Sequence, residues 1–327
     1  MNARVAFLGV AHVHAGSYAH VLSHRVDADV CAVWDRTPSV AEAFAGRHGC
    51  CVAGDPEAAL ANATCAIVAS ENTLHADLIE ACARRGVPVM CEKPLVASLE
   101  DAERVRAAVR SGAWVMTAFP CRFSPVFERL KARLAAREVG EVRAICATNR
   151  GRCPGGWFVE AEWSGGGAMI DHVVHVADLL YVLLGEEPSS VSAGAGHNLH
   201  GKEWEDSALL TLDYPSGVFA TLDSSWSRPA SYKTWGDVML TVTGDEGVAE
   251  ADLFGAAVDL FRNDATPGHV AVGYGSDCDA RMVAAFLRAV ETGAEPPVSA
   301  EDGLRAARVA LAGYASLRAA GPVPVPV

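Results

Sequence analysis

The first 120 residues alternate short, β-branched apolar runs with stretches in which apolar residues recur at helical spacing. Strands that alternate with helices of about 10–15 residues are typical of βαβ units, so this region predicts an α/β domain with a parallel, doubly wound sheet. Ser98 precedes the fourth helix as a candidate N-cap, and Asp101 follows it three residues on. The predicted strands are 4–8, 29–34, 65–69, 88–91 and 114–118, and the predicted helices are 14–23, 39–48, 74–85 and 99–110.

The pattern changes after Phe119. From 189 to about 261 it shows strands joined by tight turns, which indicates an antiparallel meander. We therefore expect one domain over 1–120 and a second α+β domain over 121–327. The second domain should hold a large open, mainly antiparallel sheet, with the C-terminal helices packed back on the first domain. Its predicted helices are 125–136, 168–184, 277–292 and 300–319, its strands are 141–148, 208–214, 218–225, 238–243 and 248–252, and a short extended tail ends the chain.

Composition and charge exclude several classes of partner. The 327 residues are 50% hydrophobic and 20% charged, as in globular proteins, and a chain of this length suits two domains. The net charge of −13 disfavours nucleic acid and anionic membrane surfaces. No apolar run approaches the roughly 20 residues that span a bilayer, and 1–10 does not resemble a signal peptide. We expect a cytoplasmic protein with no membrane and no nucleic-acid partner.

The ten cysteines show no C-x-x-C pair. Their spacing fits neither a zinc ribbon nor a disulfide framework. Most lie in apolar stretches, so we expect buried thiols that act as small hydrophobes.

A glycine turn follows the first predicted strand. The run Gly9-Val10-Ala11-His12-Val13-His14 occupies the position of a dinucleotide phosphate turn, although Ala11 replaces the second glycine of G-x-G-x-x-G. Asp35 ends the second predicted strand, where a carboxylate binds the adenosine ribose hydroxyls and repels a 2′-phosphate. This predicts NAD as cofactor, while Arg36 beside it keeps NADP open.

Two further clusters carry polar chemistry. Glu92-Lys93-Pro94 follows a short strand, at the edge of an α/β sheet where ligands gather, and a buried lysine there suits hydrogen bonding or proton transfer to a substrate oxygen. Three glycines, 165–167, precede a helix that carries Asp171 and His175 four residues apart on one face, with Asp178 three further on. The glycines would allow close approach to a ligand, and the carboxylate would orient the imidazole as a general acid or base. A surface lysine and a buried structural His–Asp pair are the alternatives.

Together these segments resemble the Gfo/Idh/MocA family, the group of glucose-fructose oxidoreductase and inositol dehydrogenase. The resemblance extends over essentially the whole chain. The matching features are the Gly9 turn, Asp35, Asn72 with His75, Glu92-Lys93-Pro94, Arg122-Phe123, the glycines leading to Asp171 and His175, and Glu301-Asp302-Gly303-Leu304.

The resemblance implies a Rossmann domain and an NAD(P)-dependent oxidoreductase that transfers hydride at a secondary alcohol or ketone carbon of a sugar or polyol. His175 would exchange the hydroxyl proton, Lys93 would hydrogen-bond that oxygen, and Asp171 would position the substrate. The Lys93–Pro94 peptide bond would be cis. The expected cofactor-binding residues are Gly9, Val10, Ala11, His12, Val13, Asp35, Arg36, Ser70, Asn72, His75, Glu92 and Lys93. The expected substrate-binding residues are Lys93, Arg122, Trp157, Asp171, His172 and His175, although the family pattern gives His172 no role.

Other functions could use some of the same residues. A metal site is disfavoured because His172 is rotated away from the face shared by Asp171 and His175, so we expect no metal. Transient oxidation of a sugar during glycoside cleavage would use the same residues, whereas a non-catalytic cofactor sensor would not need them. The family also implies a homodimer or homotetramer formed through the C-terminal sheet. Aromatic residues that could line a sugar cleft, form core or form a subunit interface are Trp157, Phe158, Trp163, Trp226, Tyr232 and Trp235.

Overall fold

The computed structural model describes residues 2–261, 269–273 and 277–326, so Met1 and Val327 of the predicted domain bounds lie outside it. The chain divides into two compact units. The first unit comprises Met1–Pro120, Glu160–Gly165 and Cys278–Ala307. The second unit comprises Cys121–Val159, Gly166–Asp277 and Arg308–Val327.

The first unit contains a six-stranded sheet in the order β3-β2-β1-β4-β5-β6, and all its neighbouring strands are parallel. The chain winds outward in both directions from the β1–β4 pair, which confirms the predicted doubly wound sheet. Ligands bind beyond the carboxyl ends of the strands at such a reversal point. The strands are β1 (Ala3–Leu8), β2 (Ala28–Trp34), β3 (Cys51–Val52), β4 (Cys65–Val68), β5 (Val89–Cys91) and β6 (Val115–Thr117).

The central strands of this sheet are buried on both faces. Val5 to Leu8 of β1 and all of β4 are fully buried, so their apolar runs do not alternate with polar residues. The helices of this unit are α1 (Ala15–Ser23), α2 (Pro38–His48), α3 (Pro56–Leu60), α4 (His75–Arg85), α5 (Leu99–Arg110), α7 (Ala161–Ser164), α9 (Cys278–Thr292) and the first turns of α10 (Ala300–Ala319).

Local capping explains where several of these helices begin. The amide N–H of Asp101 donates to Ser98 Oγ at 3.0 Å, which confirms the predicted cap of α5. The short helix α3, which the sequence analysis missed, begins in the same way, with Ala58 N donating to Asp55 Oδ1 at 2.7 Å. Helix α9 contacts α1, and its Asp279 accepts a hydrogen bond from Ser17 Oγ at 2.7 Å.

The second unit contains a seven-stranded sheet in the order β12-β11-β7-β10-β9-β8-β15. The predicted large, mainly antiparallel sheet is confirmed. Two more strands pair antiparallel in a separate hairpin, β13 (Ala257–Phe261) and β14 (His269–Gly273). The strands of the large sheet are β7 (Val142–Gly151), β8 (Ser190–Gly196), β9 (Ser207–Asp213), β10 (Phe219–Ser225), β11 (Gly236–Gly244), β12 (Val248–Asp252) and β15 (Val323–Pro324).

The predicted meander is wrong at one place, because β10 and β11 are not neighbours. Strand β7 lies between them, parallel to β10 and antiparallel to β11. The segment 226–235 that joins β10 to β11 is too long for a tight turn, so sequence adjacency does not dictate pairing. The extended C-terminal tail, predicted without a pairing partner, forms an edge strand of this sheet, in which Val323 pairs with Val191.

Helix α8 (Ala168–Leu184) packs on one face of this sheet, against β7, β9 and β10. The sheet presents buried side chains such as Leu210, Leu212 and Leu222 to this face, and they alternate with more exposed neighbours along each strand. Helix α6 (Pro125–Ala135) in turn packs against α8.

The expectation that no apolar run could span a bilayer is corrected by the segment Ala161–Leu184. It is long and apolar enough to do so by length and composition, because α8 is apolar on nearly every side. However, 78% of its most apolar window is buried inside the protein, which is the pattern of a core helix.

The prediction that the cysteines are buried holds for only some of them. Cys65, Cys82, Cys91 and Cys121 are buried, whereas others are partly buried and Cys51 and Cys146 are exposed. Cys146 is exposed because β7 alternates between its two faces.

Replacing Ser98 by Ala should lower the free energy of unfolding by about 1 kcal/mol, because the amide of Asp101 loses its cap. Urea titration followed by circular dichroism measures this. Ser98→Thr keeps the hydroxyl and serves as the matched control. An equal loss in both variants would show that the hydroxyl is not the source of the effect.

Candidate active site

The glycine turn after β1 depends on a true glycine. Gly9 has φ +75°, and a Cβ built there would lie 2.3 Å from Ser70 Cβ, so no other residue fits without displacing the end of β4. The turn leads into α1, whose N-cap His14 makes no side-chain capping bond among the described residues. Backbone N–H groups at such a helix start suit a phosphate group.

Asp35 stabilises this turn from the end of β2. Its carboxylate is buried, with Oδ2 accepting from Val10 N and Oδ1 accepting from Thr37 N, both at 2.8 Å. The predicted cofactor carboxylate therefore lies directly beside the predicted phosphate turn. A dinucleotide with a free ribose 2′-hydroxyl suits it, since a 2′-phosphate would meet a buried negative charge.

Arg36, the residue that kept NADP open, is held by other groups of the first unit. Its Nε donates to Glu71 Oε1 at 2.6 Å, and its guanidinium carbon lies 3.8 Å from the centre of the Trp163 ring. Glu71 is buried, so its carboxylate balances the positive charge of Arg36. This favours NAD over NADP.

Polar residues gather beyond the carboxyl ends of β4 and β5. Asn72 Nδ2 donates to Ser164 O at 2.8 Å, while its buried Oδ1 has no hydrogen-bond partner among the described residues. His75 Nδ1 lies 2.9 Å from Pro94 O, and its buried Nε2 likewise lacks a partner in the described part of the chain. Burial lowers the pKa of His75, so the ring is neutral at neutral pH. These two atoms suit a bound polar ligand such as the cofactor.

Glu92 forms the centre of a buried network that no sequence motif indicated. Its Oε1 accepts a short hydrogen bond from Tyr18 Oη and lies 3.0 Å from His14 Nδ1, and its Oε2 accepts from Lys93 N at 3.0 Å. Burial alone would raise the pKa of Glu92, but the fields of His12 and His14 outweigh it and hold the pKa well below its ordinary value. Burial lowers the pKa of His14, but Glu92 outweighs this effect and the pKa is raised. The network ties α1 to the end of β5, where Lys93 follows with the predicted cis bond to Pro94 confirmed.

The same network offers the atoms that a metal ion would need. Donor atoms of His12, His14 and Glu92 lie within 4.8 Å of one another. However, His12 Nδ1 already accepts from His14 N at 3.2 Å, and Glu92 Oε1 accepts from Tyr18. Because hydrogen bonds engage these atoms, the absence of a metal stays our prediction.

In the second unit, the glycines before α8 admit other parts of the protein rather than a ligand. A Cβ on Gly166 would lie 2.0 Å from Tyr314 Oη, and one on Gly167 would lie 2.1 Å from Glu205 O. Gly167 N also donates to Glu205 Oε1 at 2.7 Å. The interpretation that these glycines leave room for a ligand is therefore replaced by one of close packing at the start of the helix.

Among the residues 167–180, only His175 is not buried. Asp171, His172 and Asp178 are buried polar residues of the same helix. His175 is thus the ionisable side chain of this stretch that keeps solvent-exposed surface, although its Nδ1 atom is buried.

The buried polar residues of α8 have partners that lie far away in the sequence. Asp171 Oδ2 accepts from Trp226 Nε1 at 3.1 Å and lies 3.2 Å from His172 Nε2. Asp178 accepts from Arg122 Nε at 2.6 Å and from a second guanidinium nitrogen. Arg122, predicted to bind substrate, is thus an ion-pair partner of the helix, and its role toward substrate stays a prediction.

The aromatic candidates divide between core and surface. Phe158 and Trp226 form a buried cluster with Ala168, and Trp157 packs against that cluster, stacked on Phe158 at 3.9 Å. Trp235 is half exposed. In the first unit Trp163 supports Arg36. Trp157, Trp163 and Tyr232 are partly exposed, so of the six aromatic candidates only Phe158 and Trp226 lack surface that a sugar could contact.

Comparison with known proteins identifies the class. Residues 3–119 match an oxidoreductase family with an NAD-binding Rossmann fold, and residues 127–250 match the GFO/IDH/MocA C-terminal domain. The protein is therefore an oxidoreductase with an NAD-binding domain. It belongs to the Gfo/Idh/MocA family, as the sequence motifs indicated.

Individual relatives match this chain over different shares of its length. Inositol 2-dehydrogenase of Rhizobium meliloti (strain 1021) is 32% identical over 332 residues, 97% of each chain. A protein of Sinorhizobium meliloti 1021 with a solved crystal structure is 30% identical to this chain in sequence. The two structures superpose with a TM-score of 0.81 over 99% of this chain and 100% of the other. The 2,7-anhydro-N-acetylneuraminate hydratase of Escherichia coli (strain K12) is 30% identical over 200 residues, 58% of this chain and 51% of the relative.

Replacing Asp35 by Asn should weaken NAD binding and improve NADP binding, because a ribose acceptor is altered and the repulsion of a 2′-phosphate is removed. We expect the ratio of the two dissociation constants to shift by about tenfold, or about 1.4 kcal/mol. Isothermal titration calorimetry with each dinucleotide measures it. The matched control is Asp29→Asn on the exposed start of β2. An unchanged ratio would contradict the role of Asp35.

Proposed function

We propose that the protein is an NAD-dependent dehydrogenase that oxidises a secondary hydroxyl of a polyol or sugar ring of inositol size. The observation that carries this proposal is the similarity to inositol 2-dehydrogenase over 97% of both chains. The buried Asp35 and the Glu71–Arg36 ion pair support NAD rather than NADP. Ten cysteines without a disulfide in the described chain support a reducing, cytoplasmic location.

Each catalytic residue has one proposed task. His175 takes the proton from the substrate hydroxyl, since it is the polar residue of its helix segment that is not buried. Lys93 donates a hydrogen bond to the same oxygen, and Asp171 fixes the orientation of the substrate. The bound nicotinamide supplies the hydride acceptor for the carbinol carbon. Gly9, Asp35, Asn72 and His75 would hold the cofactor.

The direct experiment measures NADH release at 340 nm with myo-inositol, scyllo-inositol, D-xylose and a panel of sugar acids. We expect sustained NADH production with at least one cyclic polyol. With NADP in place of NAD, we expect little NADPH. Absence of NADH with every polyol and sugar, while NAD binds by calorimetry, would overturn the dehydrogenase proposal.

A second function is favoured by the similarity to an anhydro-sugar hydratase, although that similarity covers only part of each chain. In such a reaction the sugar would be oxidised and then reduced again, so the cofactor would be regenerated in each turnover. Product formation from an anhydro-sugar at catalytic NAD, without accumulation of NADH, would support this second function over the first.

Replacing His175 by Asn should lower turnover by about 10²–10⁴-fold, because the general base is lost. NAD affinity should stay within about twofold, since the cofactor-binding residues are elsewhere in the chain. Initial rates and calorimetry measure the two quantities. His20→Asn, on the exposed face of α1, is the control and should change neither. Unchanged turnover in His175→Asn would refute its role.

We also propose that the chain forms a homodimer or homotetramer through the outer face of its large sheet. Large apolar side chains on this face are exposed, namely Leu209, Phe219 and Met239. They alternate with buried residues that face α8, so all three lie on the opposite face of the sheet. An exposed apolar face of this kind is typical of a subunit interface.

The double variant Leu209→Lys, Phe219→Lys should have a smaller mass in solution, because two charges in an apolar interface cost desolvation energy. Light scattering coupled to size-exclusion chromatography measures the mass. Val26→Lys, at a 98% exposed position of the first unit, is the control and should leave the mass unchanged. A wild-type mass equal to one chain, or a double variant with unchanged mass, would contradict the proposal.

A further inference from the structure

His172 is a buried residue to which the family pattern gives no role. Its ring lies between two acceptors of the second unit. Nδ1 is 3.0 Å from the backbone oxygen of Asn149, and Nε2 is 3.2 Å from Asp171 Oδ2. Both His172 and Asp171 are buried, so water does not compete strongly for these contacts.

The chemistry of the backbone acceptor fixes the hydrogen on one ring nitrogen. A carbonyl oxygen can only accept a hydrogen bond, so Nδ1 must carry a hydrogen. The contact between Nε2 and Asp171 Oδ2 is attractive when a hydrogen lies between the two atoms. Asp171 Oδ2 also accepts from Trp226 Nε1, so this oxygen is held from two sides.

We propose that His172 is a positioning residue, whose Nδ1–H donates to Asn149 O and whose Nε2 contacts Asp171, and that it holds Asp171 in the orientation that the reaction at His175 requires. The role in the reaction rests on the proposed function, whereas the hydrogen on Nδ1 does not. A proton relay is disfavoured, because the path beyond Nδ1 ends at a carbonyl oxygen.

The strand opposite is shaped for this ring. A Cβ on Gly151 of β7 would lie 2.7 Å from His172 Cε1 and 3.0 Å from its Nε2. Glycine at this position thus leaves the space that the imidazole fills. The backbone of Asn149, two residues earlier on the same buried face, supplies the acceptor for Nδ1.

Charged groups on the neighbouring strands are engaged elsewhere. Arg150 pairs with Asp223, and Arg228 pairs with Asp237, each through an Nε–carboxylate bond of at most 2.9 Å. Arg152 donates to the backbone oxygen of Tyr232. Asp171 is the carboxylate in direct contact with the ring of His172.

The first test reads the wild-type protein without any substrate. Two-bond ¹H–¹⁵N correlation spectra of ¹⁵N-histidine protein at pH 7 distinguish a doubly protonated ring from either neutral tautomer. The His172→Gln variant assigns the resonance. We expect Nδ1 of His172 to carry a hydrogen, and a ring with its hydrogen on Nε2 alone would overturn the proposal even if the enzyme oxidises polyols.

The second test measures the consequence for catalysis. His172→Phe removes both ring nitrogens and should lower kcat about 100-fold with little change in NAD affinity, as a misplaced catalytic group does. His172→Gln keeps a donor of similar reach, so it should retain more activity than His172→Phe. The control is His197→Phe, at an exposed position of the same unit.

Equal kcat in wild type and His172→Phe would overturn the positioning role. If no polyol supports turnover in the wild type, the proposed function fails while the spectra still decide the protonation of the ring. If His172→Phe does not fold, His172→Leu, which also lacks both ring nitrogens, carries the kinetic comparison, and a kcat equal to that of wild type with an unchanged KM would overturn the role.

Discussion

A helix that is buried on nearly all sides cannot leave its polar side chains unpaired, and α8 is such a helix. An unpaired buried charge costs several kcal/mol, so each polar residue of α8 must find a partner or reach solvent. Asp178 pairs with Arg122, and Asp171 pairs with Trp226 and His172. His175 is the one left accessible in the first part of the helix. The partners thus fix the rotation of the helix and with it the direction of the proposed base.

The first unit follows the same rule around Glu92. This carboxylate is buried, and it is stabilised by Tyr18, His14 and the amide of Lys93. Those bonds join the helix after the glycine turn to the strand end that carries Lys93. The turn and the lysine are therefore coupled by a single ionised group, while Asp35 holds the turn from the other side.

Local patterns predicted much of the fold from sequence. The helices 99–110, 168–184 and 300–319 were predicted with the bounds that the structure shows, because apolar spacing and a cap such as Ser98 are local signals. The short elements β3 and α3 were missed because a few residues carry little periodicity. The place of β7 between β10 and β11 was missed because strand order depends on contacts between distant segments.

The site residues also divide into those visible as local motifs and those joined by contacts between distant segments. Glu92-Lys93-Pro94 and the Asp171–His175 spacing were visible as motifs, but no motif links Trp226 to Asp171 or Arg122 to Asp178. The spacing of four residues suggested that Asp171 serves His175, which stays a prediction, and the structure adds a contact of Asp171 with the adjacent His172. The spacing of His14 and Tyr18 along α1 is a signal that could have indicated a shared partner, which the fold supplies as Glu92.

Hydride transfer from a carbinol carbon to NAD is the central claim, and isotopic labelling tests it most directly. The enzyme is incubated with NAD and myo-inositol deuterated at its ring carbons, and the recovered dinucleotide is analysed by mass spectrometry and proton NMR. We expect NADH that carries one deuterium at the nicotinamide C4 position, and far less of it from His175→Asn in the same time. Oxidised inositol accompanied by NADH without deuterium, or no labelled dinucleotide from any deuterated polyol, would contradict it.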